Sequence, residues 1–245
     1  MKNVALITGA SSGIGMELAR VHARKGGDLV LVARRIDRLN EIKEELTEKH
    51  NIEIEVIERD LAVAEAGERL FNEIKEKGIV VEYLINNAGF GGHGYFYERD
   101  WERDRNMIQL NIITLTELTR MFLPGMVERG SGKVLNVASM AGFLPGPFQA
   151  VYYATKAFVL SFSEAIASEL DGSGVTVTAL CPGPTRTEFE DVANVAGSKA
   201  FMLQASVESV ARYGYNAMMK GQAVAVPGSA NRLLVSYLLR MTPKN

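Results

Sequence analysis

Residues 8–15 read "TGASSGIG" and place Gly9, Gly13 and Gly15 on a turn between an apolar run, "NVALI", and a helical pattern that opens near Ile14. Glycine accepts positive φ and has no Cβ, so a backbone this rich in it can bend sharply and come close to a ligand. A helix starting here presents free N–H groups and its positive dipole end at the same place, which suits a phosphate or pyrophosphate. The spacing is GxxxGxG, and no Lys-Ser/Thr pair follows as in a P-loop. A glycine cluster by itself is equally compatible with a plain turn. Its position directly after the first strand favours a binding site.

Along the rest of the chain, short β-rich runs alternate with segments carrying charges at helical spacing. The runs are "NVALIT", "DLVLVA", "IEIEVI", "VEYLIN", "KVLNVA", "GVTVTAL" and "AVAVP"; "RLNEIKEELTEKH" and "EAGERLFNEIKEKG" are among the helical segments. This alternation specifies a parallel sheet covered on both faces. The expected fold is α/β: a Rossmann-type doubly wound parallel sheet of about seven strands, with helices on both faces and a ligand at the strand ends. No linker, compositional break or internal repeat divides the 245 residues, so 1–245 reads as a single dinucleotide-binding domain. With 47% hydrophobic residues it can bury a large core.

A net charge of -2 gives no basic field, which argues against nucleic acid and against an anionic membrane surface as partners. Cys181 is the single cysteine, so there is no disulfide framework. His22, His50 and His93 lack metal-ligand spacing, and no metal is expected. The N-terminal apolar run is too short for a signal peptide and no stretch approaches about 18 apolar residues, so a cytoplasmic protein is expected.

The stretch "VYYATKAF", residues 151–158, sets two tyrosines ahead of a lysine. Residues three and four apart share a helix face, so Tyr152 and Tyr153 are both able to meet Lys156, and periodicity leaves a tie. Together with "TGASSGIG", the features "NNAG" at 86–89, Asn111, Ser139 and "PGPTRT" at 182–187 make the chain resemble the short, single-domain branch of the short-chain dehydrogenase/reductase family. Within it the chain looks closest to members grouped with hydroxysteroid and long-chain ketoacyl reductases. The resemblance selects Tyr152: the family's YxxxK pattern falls on Tyr152 and Lys156, and Ser139 lies upstream at the matching distance. Tyr153 is left as packing or pocket wall.

The resemblance implies an enzyme with catalytic residues Asn111, Ser139, Tyr152 and Lys156. Reducing a ketone takes a hydride at carbon and a proton at oxygen, and a phenol with an ordinary pKa near ~10 is a poor partner near neutrality. A neighbouring ammonium favours the phenolate, so Lys156 is expected to lower the Tyr152 pKa. By resemblance it also holds the nicotinamide ribose hydroxyls. Ser139 is expected to bind and orient the substrate oxygen. Asn111 stands where the family anchors a water in a proton relay to the lysine, although an asparagine within a helix can also simply satisfy local backbone groups.

Cofactor contacts are implied in the first turn at Gly9, Ser11, Ser12, Gly13, Ile14 and Gly15, and after the fourth strand at Asn87, Ala88 and Gly89. They are implied further at Asp60 and Leu61 beside the adenine, at Tyr152 and Lys156, and at Pro182, Gly183, Thr185 and Thr187 around the nicotinamide. Asp60 has a second reading as a cap on the following helix, and Asn86 as a structural residue. An NAD-preferring member carries an acid at the end of the second strand. Here "LVLVARRIDRL" has Ala33 at that point, followed by Arg34 and Arg35. Guanidinium forks suit a phosphate, so the expected cofactor is NADP(H), with Arg34 the primary 2′-phosphate contact and Arg35 secondary.

Three segments are expected around the substrate: "GFGGHGYF", "GFLPGPF" and a loop at about 188–205. They supply Phe90, His93, Phe96, Phe143, Leu144, Phe148, Phe189, Val192 and Met202, a wall suited to a lipophilic carbonyl or its alcohol. A helix in "ANRLLVSYLLRMTPKN" is apolar on much of its circumference and could cover the pocket, meet another subunit or rest on a membrane; membrane contact is the least expected, and a homodimer or homotetramer is favoured. Two other functions fit less well. A non-catalytic NADP(H)-binding regulator would not need the intact Ser139, Tyr152 and Lys156, and a sugar-nucleotide epimerase or dehydratase needs a larger second domain.

Overall fold

The computed structural model describes residues 1–185 and 205–241, with side chains to residue 236. Seven strands form one parallel sheet: β1 (Val4–Thr8), β2 (Leu29–Ala33), β3 (Ile54–Glu58), β4 (Val81–Asn86), β5 (Gly132–Val137), β6 (Val175–Leu180) and β7 (Val224–Ala225). Their order is β3-β2-β1-β4-β5-β6-β7. The chain winds away from β1 in one direction and from β4 in the other, so the switch point lies between those two strands. A crevice opens there at their carboxyl ends, where open α/β sheets bind ligands.

Helices α1 (Gly13–Ala23), α2 (Ile36–Lys49), α3 (Ala66–Glu76), α4 (Trp101–Ile108), α5 (Leu115–Arg129), α6 (Ala150–Glu169), α7 (Val207–Met219) and α8 (Ser229–Met241) connect or follow the strands. β1 and β2 are buried at every position because successive side chains enter opposite cores. Ala5 and Ile7 pack with Leu18, Val210 and Tyr215 on one face. Val4 and Leu6 pack with Leu70, Leu118 and Met126 on the other. A third cluster joins Val159 and Leu160 of α6 to Val226 and Val235, so α8 closes over the short turn Met140–Phe143.

Two local features position the site. α1 starts at Gly13, one residue earlier than expected; Ser12 occupies its N-cap without a side-chain bond, and its first turn holds no acid. Its leading N–H groups and dipole therefore face the crevice without a competing side chain. Secondly, the helix expected around "QLNIITLTELT" is interrupted by a π-helical turn, Gln109–Thr114, between α4 and α5. Such turns insert one extra residue and re-aim a side chain, here Asn111. β7 spans two residues, shorter than "AVAVP" suggests.

Among the described residues no helix is long and apolar enough to cross a membrane, and no group of His, Cys, Asp or Glu could hold a metal ion. On α8, Val235 is buried whereas Leu233 and Leu234 are exposed. The side chains of Tyr237, Leu238 and Leu239 lie outside the described residues.

Candidate active site

A cavity of about 570 Å³ follows the carboxyl ends of the strands. Gly9, Ser11, Ser12, Gly13 and Ile14 line it at the first turn. Arg34, Arg35, Asp60 and Leu61 stand at one end, Asn87, Ala88 and Gly89 in the middle, and Ser139, Tyr152, Lys156, Pro182, Gly183 and Thr185 at the other. The residues expected to surround one ligand are thus brought together, with three exceptions. Gly15 is packed behind the turn: a Cβ there would lie 2.4 Å from both the Gly9 carbonyl oxygen and the Asn87 Nδ2. Its glycine is needed for contact between helix and strand, not for contact with a ligand. Asn111 is also outside the lining, and Thr187 falls outside the described residues.

The turn is braced from β4. The Thr8 hydroxyl accepts the N–H groups of Asn87 and Ala88, each at 3.0 Å. Asn87 Nδ2 donates back to the carbonyls of Thr8 at 2.9 Å and Gly9 at 3.1 Å. Gly9 and Gly13 have φ of 65° and 55°, the left-handed region that favours glycine. Thr8 was not singled out as a site residue, although it opens the same motif; its strand position disguised a side chain that ties two binding segments together.

At the arginine end, Arg35 directs Nε and Nη2 at the Ser11 hydroxyl, at 3.3 and 3.2 Å. Arg34 is exposed and forms no side-chain hydrogen bond with the described residues. Asp60 Oδ1 accepts the Ala62 N–H at 2.9 Å, so its alternative reading as a local cap is realised while it still borders the cavity. Arg59, not expected from the sequence, also lines this end.

At the other end Ser139 follows β5 and caps the short turn Met140–Phe143, and Tyr152 and Lys156 project from α6. The Ser139 hydroxyl is near enough to Tyr152 to pull its pKa down, and its Oγ accepts the Ala141 N–H at 3.1 Å. Lys156 is buried; its Nζ lies 5.9 Å from the centre of the Tyr152 ring and donates to the Val137 carbonyl at 2.7 Å. Burial pushes the Lys156 pKa down to about 8. It pushes the Tyr152 hydroxyl up to about 12, with the Ser139 hydroxyl pulling in the opposite direction. The net direction for Tyr152 is therefore upward, opposite to the lowering expected from a neighbouring ammonium. The desolvation cost of a phenolate sets this direction, while the Lys156 ammonium is engaged by the Val137 carbonyl.

Asn111 is held by three side-chain hydrogen bonds. Its Oδ1 accepts the Phe90 N–H at 3.2 Å, and its Nδ2 donates to the Phe90 carbonyl at 3.0 Å and to the Thr155 hydroxyl at 3.1 Å. The side chain pins the loop after β4 to the residue before Lys156. None of these partners is local to its own helix, so the reading of Asn111 as a residue that satisfies nearby backbone groups does not account for its bonds.

Tyr153 lines the cavity, its ring 6.0 Å from that of Tyr152 and nearly perpendicular, as a pocket wall would be. Of the apolar residues expected around the substrate, Phe90 borders the cavity, whereas His93, Phe96, Phe143, Leu144 and Phe148 are not among its described lining. His93 and Tyr95 pack instead on the Phe148 ring, at 5.6 and 5.0 Å between centroids. Leu110, Met140, Tyr153 and Pro184 take their place. The residues Phe189, Val192 and Met202, and the loop 188–205 apart from Ala205, lie outside the described residues. Ala205 pairs with Thr185 through an isolated bridge.

Known proteins are similar to this chain in sequence and in fold. A family model described as short chain dehydrogenase matches residues 3–196. The very-long-chain 3-oxoacyl-CoA reductase of Rattus norvegicus is 31% identical over 96% of this chain and 76% of that protein; of its Mus musculus namesake the chain spans 61%. The sulfoacetaldehyde reductase 2 of Chromohalobacter salexigens is 37% identical over 77% of this chain and 75% of its own length. A short-chain dehydrogenase from Sphingobium yanoikuyae, solved in complex with NADPH, is 31% identical with a TM-score of 0.86 and covers 98% of this chain and 96% of that one. On the extent of the family match and the likeness along nearly its whole length, the chain belongs to the short-chain dehydrogenase/reductase family.

Proposed function

We propose that the chain is an NADP(H)-dependent oxidoreductase that interconverts a ketone and its secondary alcohol, with a lipophilic carbonyl as substrate. The observation that carries this reading is the convergence of Ser139, Tyr152 and Lys156 on one end of a cavity whose other end holds a glycine turn and arginines. The residues fit a dinucleotide. The N-terminus of α1 has no side-chain cap, and Lys156 donates to a single described acceptor, which leaves two of its N–H groups for ribose hydroxyls. Arg34, without a described partner and next to Ala33 in place of an acid, suits a 2′-phosphate.

When bound, NADPH supplies the hydride for the carbonyl carbon. Tyr152, a neutral phenol well above neutral pH, gives its proton to the carbonyl oxygen, and the Ser139 hydroxyl holds that oxygen in line. The Lys156 ammonium stabilises the phenolate that remains. Pro182, Gly183 and Thr185 border the nicotinamide end. Asn111 is a positioning residue that fixes Thr155, and with it the start of the Lys156 turn.

The described charged groups of the cavity other than Lys156 are Arg34, Arg35, Arg59 and Asp60, all at the adenosine end. Among the described residues the catalytic end offers Phe90, Met140, Tyr153 and Pro184 and no further charge to grip a small anion, which supports a lipophilic substrate. We also assign a cytoplasmic homodimer or homotetramer: on α6, exposed Phe158 stacks on Phe162 beside exposed Ala154 and Ala157, a face suited to another copy.

The test is NADPH oxidation by the purified protein across small diketones, steroids and long-chain ketoacyl thioesters. Turnover is expected on the lipophilic members, lost in Tyr152→Phe with NADPH binding nearly intact and retained in Tyr153→Phe. NADPH binding without turnover on any carbonyl would replace the enzyme reading with that of a regulator, and equal loss in both variants would remove the choice of Tyr152.

A further inference from the structure

We infer that Arg59 recognises the adenine of the dinucleotide through the flat face of its guanidinium, while Arg34 recognises the 2′-phosphate through charge; this rests on the NADP(H) reading above. The two arginines are neighbours by strand register. β2 and β3 pair Ala33 with Glu58, and the Arg59 N–H continues the ladder to the Ala33 carbonyl at 2.9 Å. Arg34 and Arg59 therefore leave adjacent strand ends into the same end of the cavity, with Arg35, Asp60 and Leu61 around them.

Their hydrogen-bonding states divide their roles. Arg34 has no side-chain hydrogen bond to a described residue, so its fork and full charge remain for an anion. Arg59 Nη2 donates to Glu73 Oε2 at 2.7 Å, and its Nε is buried without a partner. A bidentate grip on a phosphate uses two N–H groups along one edge of the fork. In Arg59 one Nη2 hydrogen is taken by the carboxylate and Nε is buried, so less of its fork is left for a phosphate than in Arg34. Glu73 also neutralises its charge, and the ion pair is partly withdrawn from water, with side-chain exposures of 26% and 30%.

A guanidinium held in this way offers its plane. Arginine stacks on aromatic faces as well as pairing with anions, and a lysine does not replace it there. The two neighbouring cavity residues, Asp60 and Leu61, supply no flat group, and Arg35 is turned to the Ser11 hydroxyl. Asp60, which borders the same end, spends Oδ1 on the Ala62 N–H and keeps Oδ2 for a donor.

The two dinucleotides NADPH and NADH share adenine and differ at the 2′-phosphate, so their dissociation constants separate the roles. These are measured on the full chain by the fluorescence of the reduced nicotinamide, at low and at high salt. Arg34→Ala is expected to weaken NADPH by about tenfold or more at low salt, with a smaller effect at high salt, and to leave NADH nearly unchanged. Arg59→Ala is expected to weaken both by the same factor, about tenfold, at either salt concentration, and to spare reduced nicotinamide mononucleotide, which has no adenine.

Arg59→Lys retains the charge and the pairing with Glu73, and guards against loss of fold in the alanine variant. It is expected to match Arg59→Ala. If Arg59→Lys binds like the unsubstituted chain, or if Arg59→Ala weakens NADPH alone, Arg59 acts by charge and the inference is overturned. Equal weakening of the mononucleotide would overturn it too, because the effect would then be on the site as a whole. If the unsubstituted chain binds neither dinucleotide, the NADP(H) reading fails first and the role of Arg59 fails with it.

Discussion

Lys156 ordinarily titrates well above the pH of the cell, but burial holds it at about 8, so its charge is within reach of modest alkalinity. A lowered lysine pKa means that the ammonium is present below 8 and lost as pH rises through that value. A cofactor carrying phosphates favours the charged form, so binding takes up a proton near that pKa. The dissociation constant of NADPH is therefore expected to rise several-fold between pH 7 and pH 9, and to lose most of this dependence in Lys156→Met. A titration series at fixed ionic strength measures it, and the same slope in both proteins would sink the argument. Tyr152 behaves oppositely: at about 12 it retains its proton across this range, so the pH response belongs to the lysine.

The break between α4 and α5 shows how one turn of helix serves the site. In a continuous α-helix Asn111 would keep the 3.6-residue phase of its neighbours; the π turn brings it against Phe90 and Thr155 instead. Asn111→Ala removes three hydrogen bonds and leaves a backbone N–H, a carbonyl and a hydroxyl to find other partners in a buried region. Stability is expected to fall by about 2–4 kcal/mol, with turnover falling further because the loop after β4 and the start of α6 are no longer joined. Denaturant unfolding alongside kcat measures both, and an unchanged unfolding midpoint would refute the clamp.

This element also marks the limit of what could be read from residues in order. Strand alternation gave the seven-stranded sheet, and the glycine turn gave the crevice, because both follow from local pattern. The choice between Tyr152 and Tyr153 could not come from helical spacing, which serves both. Arg59 reads as an ordinary charge at a strand end, and only register puts it beside Arg34. His93 and Phe148 read as pocket walls, yet they stack on each other, because ring packing depends on where two loops meet.

Beyond the site, the N-terminal residues are joined to α7 through His22. The ring is buried between the first residues and α7: Nε2 is 2.7 Å from the Asn3 carbonyl and Nδ1 is 3.0 Å from the Tyr215 hydroxyl. A carbonyl can only accept, so Nε2 carries the hydrogen and Nδ1 accepts from the tyrosine; the ring is neutral. Burial lowers its pKa below 6.5, with the Asn3 hydrogen bond the largest effect opposing it. The unfolded chain takes up a proton near 6.5 and the native chain does not, so the unfolded state binds more protons as pH falls below 6.5. Stability is then complete above that value and declines through the window between the unfolded and native pKa values, by no more than about 1.4 kcal/mol per pH unit from this group. In His22→Phe the native protein loses two hydrogen bonds and starts from lower stability at pH 7, yet the further loss between pH 7 and pH 5 is expected to be smaller than in the parent. Urea midpoints at the two pH values separate the level from the slope. Equal slopes would mean that acid sensitivity arises elsewhere and that His22 serves the molecule through packing alone.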